Sequence, residues 1–230
     1  MELSENLSRS WEFTKRLTED IGNLILLIVL SIIPIINIVV IGYGARITRL
    51  GDSIDKPPKI SDYLDTFIDG VMVIIVIIIY SIIPMLIFAL FLGLALISKY
   101  PIEALMRPGG LMALLPAGIK IIGMGIALIV GFIIFIFGAM GIIDMIKTKS
   151  FGAAFNFSNI LKLIRSVGWG KYISWLIVMY ILAIIAGSLS SLHWVLSIVI
   201  GVFFMVFLAR SAHYIYPVEE AAEQPEIEGA

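Results

Sequence analysis

Between Tyr172 and Ala209 the chain runs through 38 consecutive positions without an aspartate, glutamate, lysine or arginine. Nothing else in the sequence constrains the fold as strongly. A stretch this apolar belongs in a bilayer, where backbone amides must pair internally and only helices or closed barrels achieve that. Roughly 20 apolar residues cross a membrane as a helix. The run therefore holds two helices, with Gly187-Ser-Leu-Ser-Ser-Leu-His193 as the hinge between them. Uncharged runs also occupy Ile21–Tyr43, Val71–Ser98 and Ile121–Ile143. With 60% hydrophobic and 14% charged residues in 230 positions, a chain of this kind is an all-α integral membrane protein.

The expected architecture is one membrane domain over residues 1–217: a bundle of four to five transmembrane helices, a first helix that is either re-entrant or spanning, and three interfacial amphipathic helices. The spans are predicted at 71–98, 119–143, 171–188 and 194–214. Residues 1–20 place Leu3, Leu7, Trp11, Leu17 and Ile21 on one helical side, with Ser10, Thr14 and Thr18 between them, and Glu5, Glu12, Lys15, Arg16 and Glu19 opposite. This reads as a helix in the membrane surface, or as one docked on the bundle. A second amphipathic helix is expected over 60–69, capped by Ser61, with Gly70 turning the chain into the membrane. The third, over 150–167, sets Phe157, Ile160, Leu161, Ile164 and Val167 against Lys162 and Arg165. Trp169, Tyr172 and Trp175 then read as an interfacial belt. Residues 99–120, rich in Pro and Gly, are expected to be irregular. Residues 218–230, with five glutamates, read as an acidic disordered tail.

The run 21–44 is ambiguous. Its Ser31-Ile-Ile-Pro34-Ile-Ile-Asn37 centre either sits in a simple span or breaks it into two half-helices that enter and leave by one face. Ser81-Ile-Ile-Pro84 repeats the pattern 50 residues later, as a duplicated unit or as coincidence in an isoleucine-rich chain. If residues 21–44 cross, the basic residues divide 10 to 6 between the two faces; if they re-enter, the division is 13 to 3. Both versions put the basic stretch Asp144–Tyr172 and the C-terminus in the cytoplasm.

Short motifs carry a family resemblance: Gly42-Tyr43 with Arg46 and Arg49, Phe67-Ile-Asp-Gly70, Ala153-Ala-Phe155, Tyr172, and Arg210-Ser-Ala-His-Tyr214. Together they resemble an archaeal-type family of polytopic membrane proteins classed as domain of unknown function 4013. The resemblance covers nearly the whole chain to Tyr216. It implies the plasma membrane of a prokaryote, and it brings no activity, cofactor or catalytic residue with it.

Candidate chemistry is sparse. The absence of cysteine excludes disulfides and thiolate catalysis. Two histidines, His193 and His213, expected on opposite faces, supply no paired metal site, and no cofactor is expected. Uncharged spans argue against a proton relay. Arg46, Asp69, Asp144, Arg210 and His213 are expected at cytoplasmic helix ends. There they form an anion or lipid-headgroup site, with Asp144 or Asp69 pairing Arg210, or simply snorkel at the interface. Ser31, Pro34, Asn37, Tyr80, Ser81 and Pro84 mark polar breaks inside the membrane. Lys162, Arg165, Trp169 and Lys171 are candidates for lipid-surface contact. Gly123, Ala127 and Gly131, at four-residue spacing, form a helix-packing face, within the bundle or in a dimer. The functional expectation is a non-enzymatic scaffold or accessory subunit with a basic cytoplasmic surface. Its partners are membrane lipids, itself or another membrane protein, and not nucleic acid. The alternatives are a small transporter or channel built on proline-broken helices, and an enzyme of lipid metabolism.

Overall fold

The computed structural model describes residues 1–97, 117–190 and 193–217. Among these the regular structure is helical: α1 (Leu3–Lys15), α2 (Ile21–Ile32), α3 (Asn37–Leu50), α4 (Tyr63–Ile97), α5 (Ala117–Thr148), α6 (Phe157–Val167), α7 (Trp169–Ser190) and α8 (Trp194–Ile215), with short 3-10 turns at Arg16–Glu19, Gly51–Ser53 and Phe151–Phe155. Four helices, α4, α5, α7 and α8, are long and apolar enough to cross a membrane. Their outward faces carry exposed Ile77, Ile78, Leu86, Leu128, Ile129, Ile181 and Ile184, a surface suited to lipid tails and not to water. The expected tail at 218–230 and most of the loop 99–120 lie outside the described residues; the helix over Ala117–Lys120 replaces the last part of that loop.

The chain packs as two compact units, Met72–Ala139 and the remainder. In the larger unit, α2 and α3 form a hairpin. Ile33 is extended (ψ 114°), as a residue preceding proline must be, and Asn37 N–H reaches back to the Ile33 carbonyl at 2.7 Å. Asn23 on α2 and Tyr43 on α3 consequently lie side by side, 3.4 Å apart, and both donate to the Pro58 carbonyl. Asn23 Oδ1 also accepts from Ile60 N–H. The prolines Pro57-Pro58 thus close the base of the hairpin, while its tip, including Pro34 and Ile35, is exposed. At 12 and 14 residues the arms measure about 18 and 21 Å, short of the ~30 Å hydrocarbon core.

The expected separate helix at 60–69 does not form. α4 begins at Tyr63 and runs without interruption through Gly70 and Pro84. Ser61 does not cap it, because its hydroxyl is engaged with Asp62 and Arg46. Gly70 is not a turn. It is where α3 and α4 touch backbone to backbone: a Cβ at Gly42 would lie 1.7 Å from the Thr66 carbonyl oxygen, and one at Gly70 would lie 2.0 Å from that of Ile38. Thirty-five residues give a helix of about 52 Å, so its charged first turns extend well beyond an apolar layer.

The α2/α3 hairpin packs on α8 and α1 through Phe13, Leu17, Leu27, Val40, Tyr43, Ile47, Val202 and Val206. The docked form of α1 is the one observed, and it docks through the Ser10, Thr14 and Leu17 part of the expected side. Asn6, Ser10, Phe13 and Thr14 are buried, whereas Trp11 is 53% exposed. Asn6 Nδ2 donates to the Ser211 carbonyl (3.1 Å), and Asn6 Oδ1 accepts from Ser211 Oγ (2.8 Å) and Ser10 Oγ (3.1 Å). Trp175 of α7 closes the node by donating Nε1–H to Ser211 Oγ (2.8 Å). Small polar side chains bind helices together where no water competes for them. Trp175 and Tyr172, buried and stacked at 6.1 Å, are therefore core residues and not part of an interfacial belt.

In the unit Met72–Ala139, Gly138 of α5 lies against the Tyr80 ring of α4, with 3.5 Å to a built Cβ. Val76 and Ile136 are buried.

Candidate functional site

Charge gathers at the end of the larger unit where α3, α5 and α8 finish. The corner Gly51–Ser53 follows α3, and Gly51 holds φ +50°; a Cβ there would meet the His213 ring at 2.0 Å. Glycine is required twice over, once for the left-handed backbone and once for space. The corner delivers Asp52 to α8. Arg210, 5% exposed, donates Nη2 to Asp52 Oδ1 at 3.0 Å and Nη1 to the Gly51 carbonyl. Its guanidinium is held between the rings of Phe13 (4.5 Å) and Tyr214 (4.8 Å), a desolvated setting in which a planar cation gains from both faces.

His213, one turn further along, faces Asp52 Oδ2 at 3.4 Å through Nε2 and receives Lys147 of α5 at Nδ1. An ammonium only donates, so Nδ1 accepts and neutral His213 carries its proton on Nε2, directed at Asp52. The order is Lys147 to His213 to Asp52, with Arg210 entering from the other side. Partial burial raises the Asp52 pKa, but the hydrogen bond from His213 and the charge of Arg210 outweigh it, and the group stays below its usual value.

Beside this relay Asp144 is fully buried and accepts from Asn159 Nδ2 and the Tyr216 hydroxyl, each at 2.8 Å. Lys147 lies 5.9 Å from the Tyr216 ring centre. Arg49 pairs with Asp69 at 2.7 Å and donates Nε to the Ile146 carbonyl. Of the five residues expected at an anion site, Arg210 and His213 meet and Asp144 adjoins them through Tyr216. Neither Asp144 nor Asp69 pairs with Arg210, because the Gly51 corner brings Asp52 closer. Arg46 is engaged elsewhere, with Ser61 and Asp62.

A surface cleft of ≈ 560 Å³ opens in front of the relay. Asp52 and His213 form one wall, Lys171 and Ser166 another, and Val167, Ile215 and Pro217 supply apolar surface. Asp52, Lys147 and the cleft were not anticipated from sequence; Gly-Asp directly after a helix was the available sign of Asp52.

The other candidates separate by location. Lys162, Arg165 and Trp169 are exposed and Lys171 half-buried on α6 and the start of α7, while Ile160 and Ile164 of α6 are fully buried. Ser31 and Ser81 each donate to the carbonyl four residues back, Leu27 at 2.8 Å and Ile77 at 2.7 Å. Asn37 opens α3, Pro34 lies in the hairpin turn, and Pro84, like the half-buried Tyr80, lies inside continuous α4. The two Ser-Ile-Ile-Pro motifs thus adopt different structures. Gly123 is buried and Ala127 half-buried, but a Cβ at Gly131 would meet nothing within 4 Å. Among the described residues no group of three or more His, Asp or Glu is placed to hold a metal.

In comparison with known proteins, residues 25–195 match the family described as "Protein of unknown function (DUF4013)". No curated protein and no solved structure matches the chain.

Proposed function

The chain belongs to the DUF4013 family, and from that premise we propose that it is a membrane scaffold or accessory subunit whose basic cytoplasmic face engages anionic lipid. The observation that carries the reading is the division of α6. Ile160 and Ile164 anchor it at zero exposure while Lys162 and Arg165 project outward beside exposed Phe157 and Trp169. Basic side chains flanked by aromatic rings fit a leaflet surface that is negative and partly apolar, at about 1 kcal/mol per cation.

Topology supports the same face. The α2/α3 hairpin returns the chain to the side it left, and Asn6 near the start bonds Ser211 near the end of α8. Both termini then lie with residues 45–70 and 144–171, on a side bearing 13 of the 16 basic residues; that side is cytoplasmic. The internal bonding of Ser31 and Ser81 leaves their hydroxyls little role in lining a pore, which favours a scaffold over a channel.

The test is lipid selectivity. Protein in nanodiscs of mixed phosphatidylcholine and phosphatidylglycerol is re-extracted, and the retained lipid is measured. Retained phosphatidylglycerol should exceed its bulk share and fall toward it in Lys162→Gln/Arg165→Gln. Equal retention by wild type and variant refutes the proposal.

A further inference from the structure

We propose that the cleft in front of Asp52 and His213 is a phosphomonoester site, and that Asp52 occupies it as an internal stand-in for the ligand. The inference deepens the reading above, resting on the same interfacial placement.

Charge comes first. Lys171 lines the cleft, and behind its wall Lys147 and Arg210 donate to His213 and Asp52. Three positive charges stand against Asp52 and the buried Asp144 beside them, an excess of about one with neutral His213 that becomes about two once Asp52 is displaced, against roughly −1.5 to −2 on a phosphomonoester at neutral pH. The donors also converge. Arg210 Nη2 and His213 Nε2 point at the two oxygens of Asp52, and Lys171 of α7 lines the same cleft as Asp52 and His213. Arg210 is already immobilised by the Gly51 carbonyl and two aromatic rings, so its orientation costs no further entropy on binding.

Asp52 is the exposed member. Its side chain is 65% exposed while that of Arg210 is 6% exposed, and it sits on a three-residue corner outside the long helices. A phosphate oxygen arriving in the cleft replaces the carboxylate as acceptor for His213 and Arg210. Val167, Ile215 and Pro217 then contact whatever the phosphate is esterified to. A lipid headgroup and a soluble phosphate share this chemistry and differ in that apolar contact.

The experiment uses full-length protein in nanodiscs of pure phosphatidylcholine, titrated calorimetrically with inorganic phosphate and, separately, with dihexanoyl phosphatidate. Saturable binding of phosphatidate alone assigns a lipid headgroup. Binding of both probes, or of phosphate alone, assigns the site to the phosphate group itself. In either case Lys171→Gln should weaken binding about tenfold, the size of one charge-assisted hydrogen bond. Asp52→Asn should tighten it, because the resident competitor loses its charge; an ordinary structural salt bridge gives no reason for a gain. Both substitutions are at accessible positions and leave the buried core intact. The proposal is overturned if neither probe saturates, or if both variants bind as wild type does. Because these nanodiscs contain no anionic lipid, the α6 selectivity test and this titration fail independently.

Discussion

Gly42→Ala separates backbone contact from side-chain packing in this fold. A Cβ at Gly42 would stand 1.7 Å from the Thr66 oxygen, 2.7 Å from its carbon and 2.9 Å from Gly70 N, where an ordinary contact begins near 3.4 Å. All three neighbours are backbone of α4, so no rotamer change relieves the overlap. α3 and α4 must part by more than 1 Å along this contact. Gaps of 0.5–1 Å already forfeit a quarter to a half of each dispersion well, and overpacking of this kind costs about 3 kcal/mol, the upper part of its usual range. Alanine returns up to about 1 kcal/mol through helix propensity. The net loss of about 2 kcal/mol lowers the apparent Tm by roughly 4–8 °C for a chain of this length. Gly44→Ala is the control: same helix, two residues on, but the obstruction is Met205 Sδ at 2.7 Å, the flexible part of a side chain. Thermal unfolding of both variants in one detergent, followed by circular dichroism, checks the comparison. Equal Tm values for Gly42→Ala and Gly44→Ala would refute the backbone contact.

Ser211→Ala leaves Trp175 Nε1 without its acceptor, at about 1–3 kcal/mol for a buried group, and leaves Asn6 Oδ1 with Ser10 as its remaining donor; faster tryptic cleavage at Arg9, Lys15 and Arg16 is expected, and an unchanged digestion rate counts against the node. Asn23→Ala unpairs Ile60 N–H and removes one donor from the Pro58 carbonyl, which should lower Tm by several degrees and speed hydrogen exchange at Ile60. The Asp52 pKa is lowered in the folded state, so its contribution to stability is complete above the unfolded value near 3.8 and lost as pH falls through the folded value. The Tm difference between wild type and Asp52→Asn should accordingly shrink below about pH 4, and a constant difference would remove the pairing argument.

The long helices were legible because uncharged length leaves a chain few options, whereas residues 21–44 stayed open between a span and two half-helices, Pro34 marking where the chain could break. Pro84 has the same local sequence and does not break α4. A missing N–H inside an apolar helix is tolerated where neighbouring helices and local adjustments serve the freed carbonyl, and α4 continues through Pro84. Identical tetrapeptides therefore differ in outcome according to what lies around them, which periodicity does not contain. Periodicity likewise finds the docked side of α1 through Ser10, Thr14 and Leu17, but it also places Trp11 there, which is 53% exposed, and does not single out Asn6, whose polar bonds to Ser211 order the interface.

The charged cluster exposes a third limit. Arg210 and His213 announced themselves as charges at a helix end, but their partner Asp52 lies 158 positions from Arg210 in sequence. What selects it over Asp69 and Asp144 is the reach of a corner only glycine permits. Asp69 is held by Arg49 and Asp144 by Asn159 and Tyr216, so each rival carboxylate is already satisfied where it stands. Asp52 alone of the three is largely exposed and hinged on a turn, which makes it the carboxylate a competing anion can displace. Its exchange for a phosphate would leave the buried pairs untouched, so binding at this end of the bundle does not require the bundle to loosen.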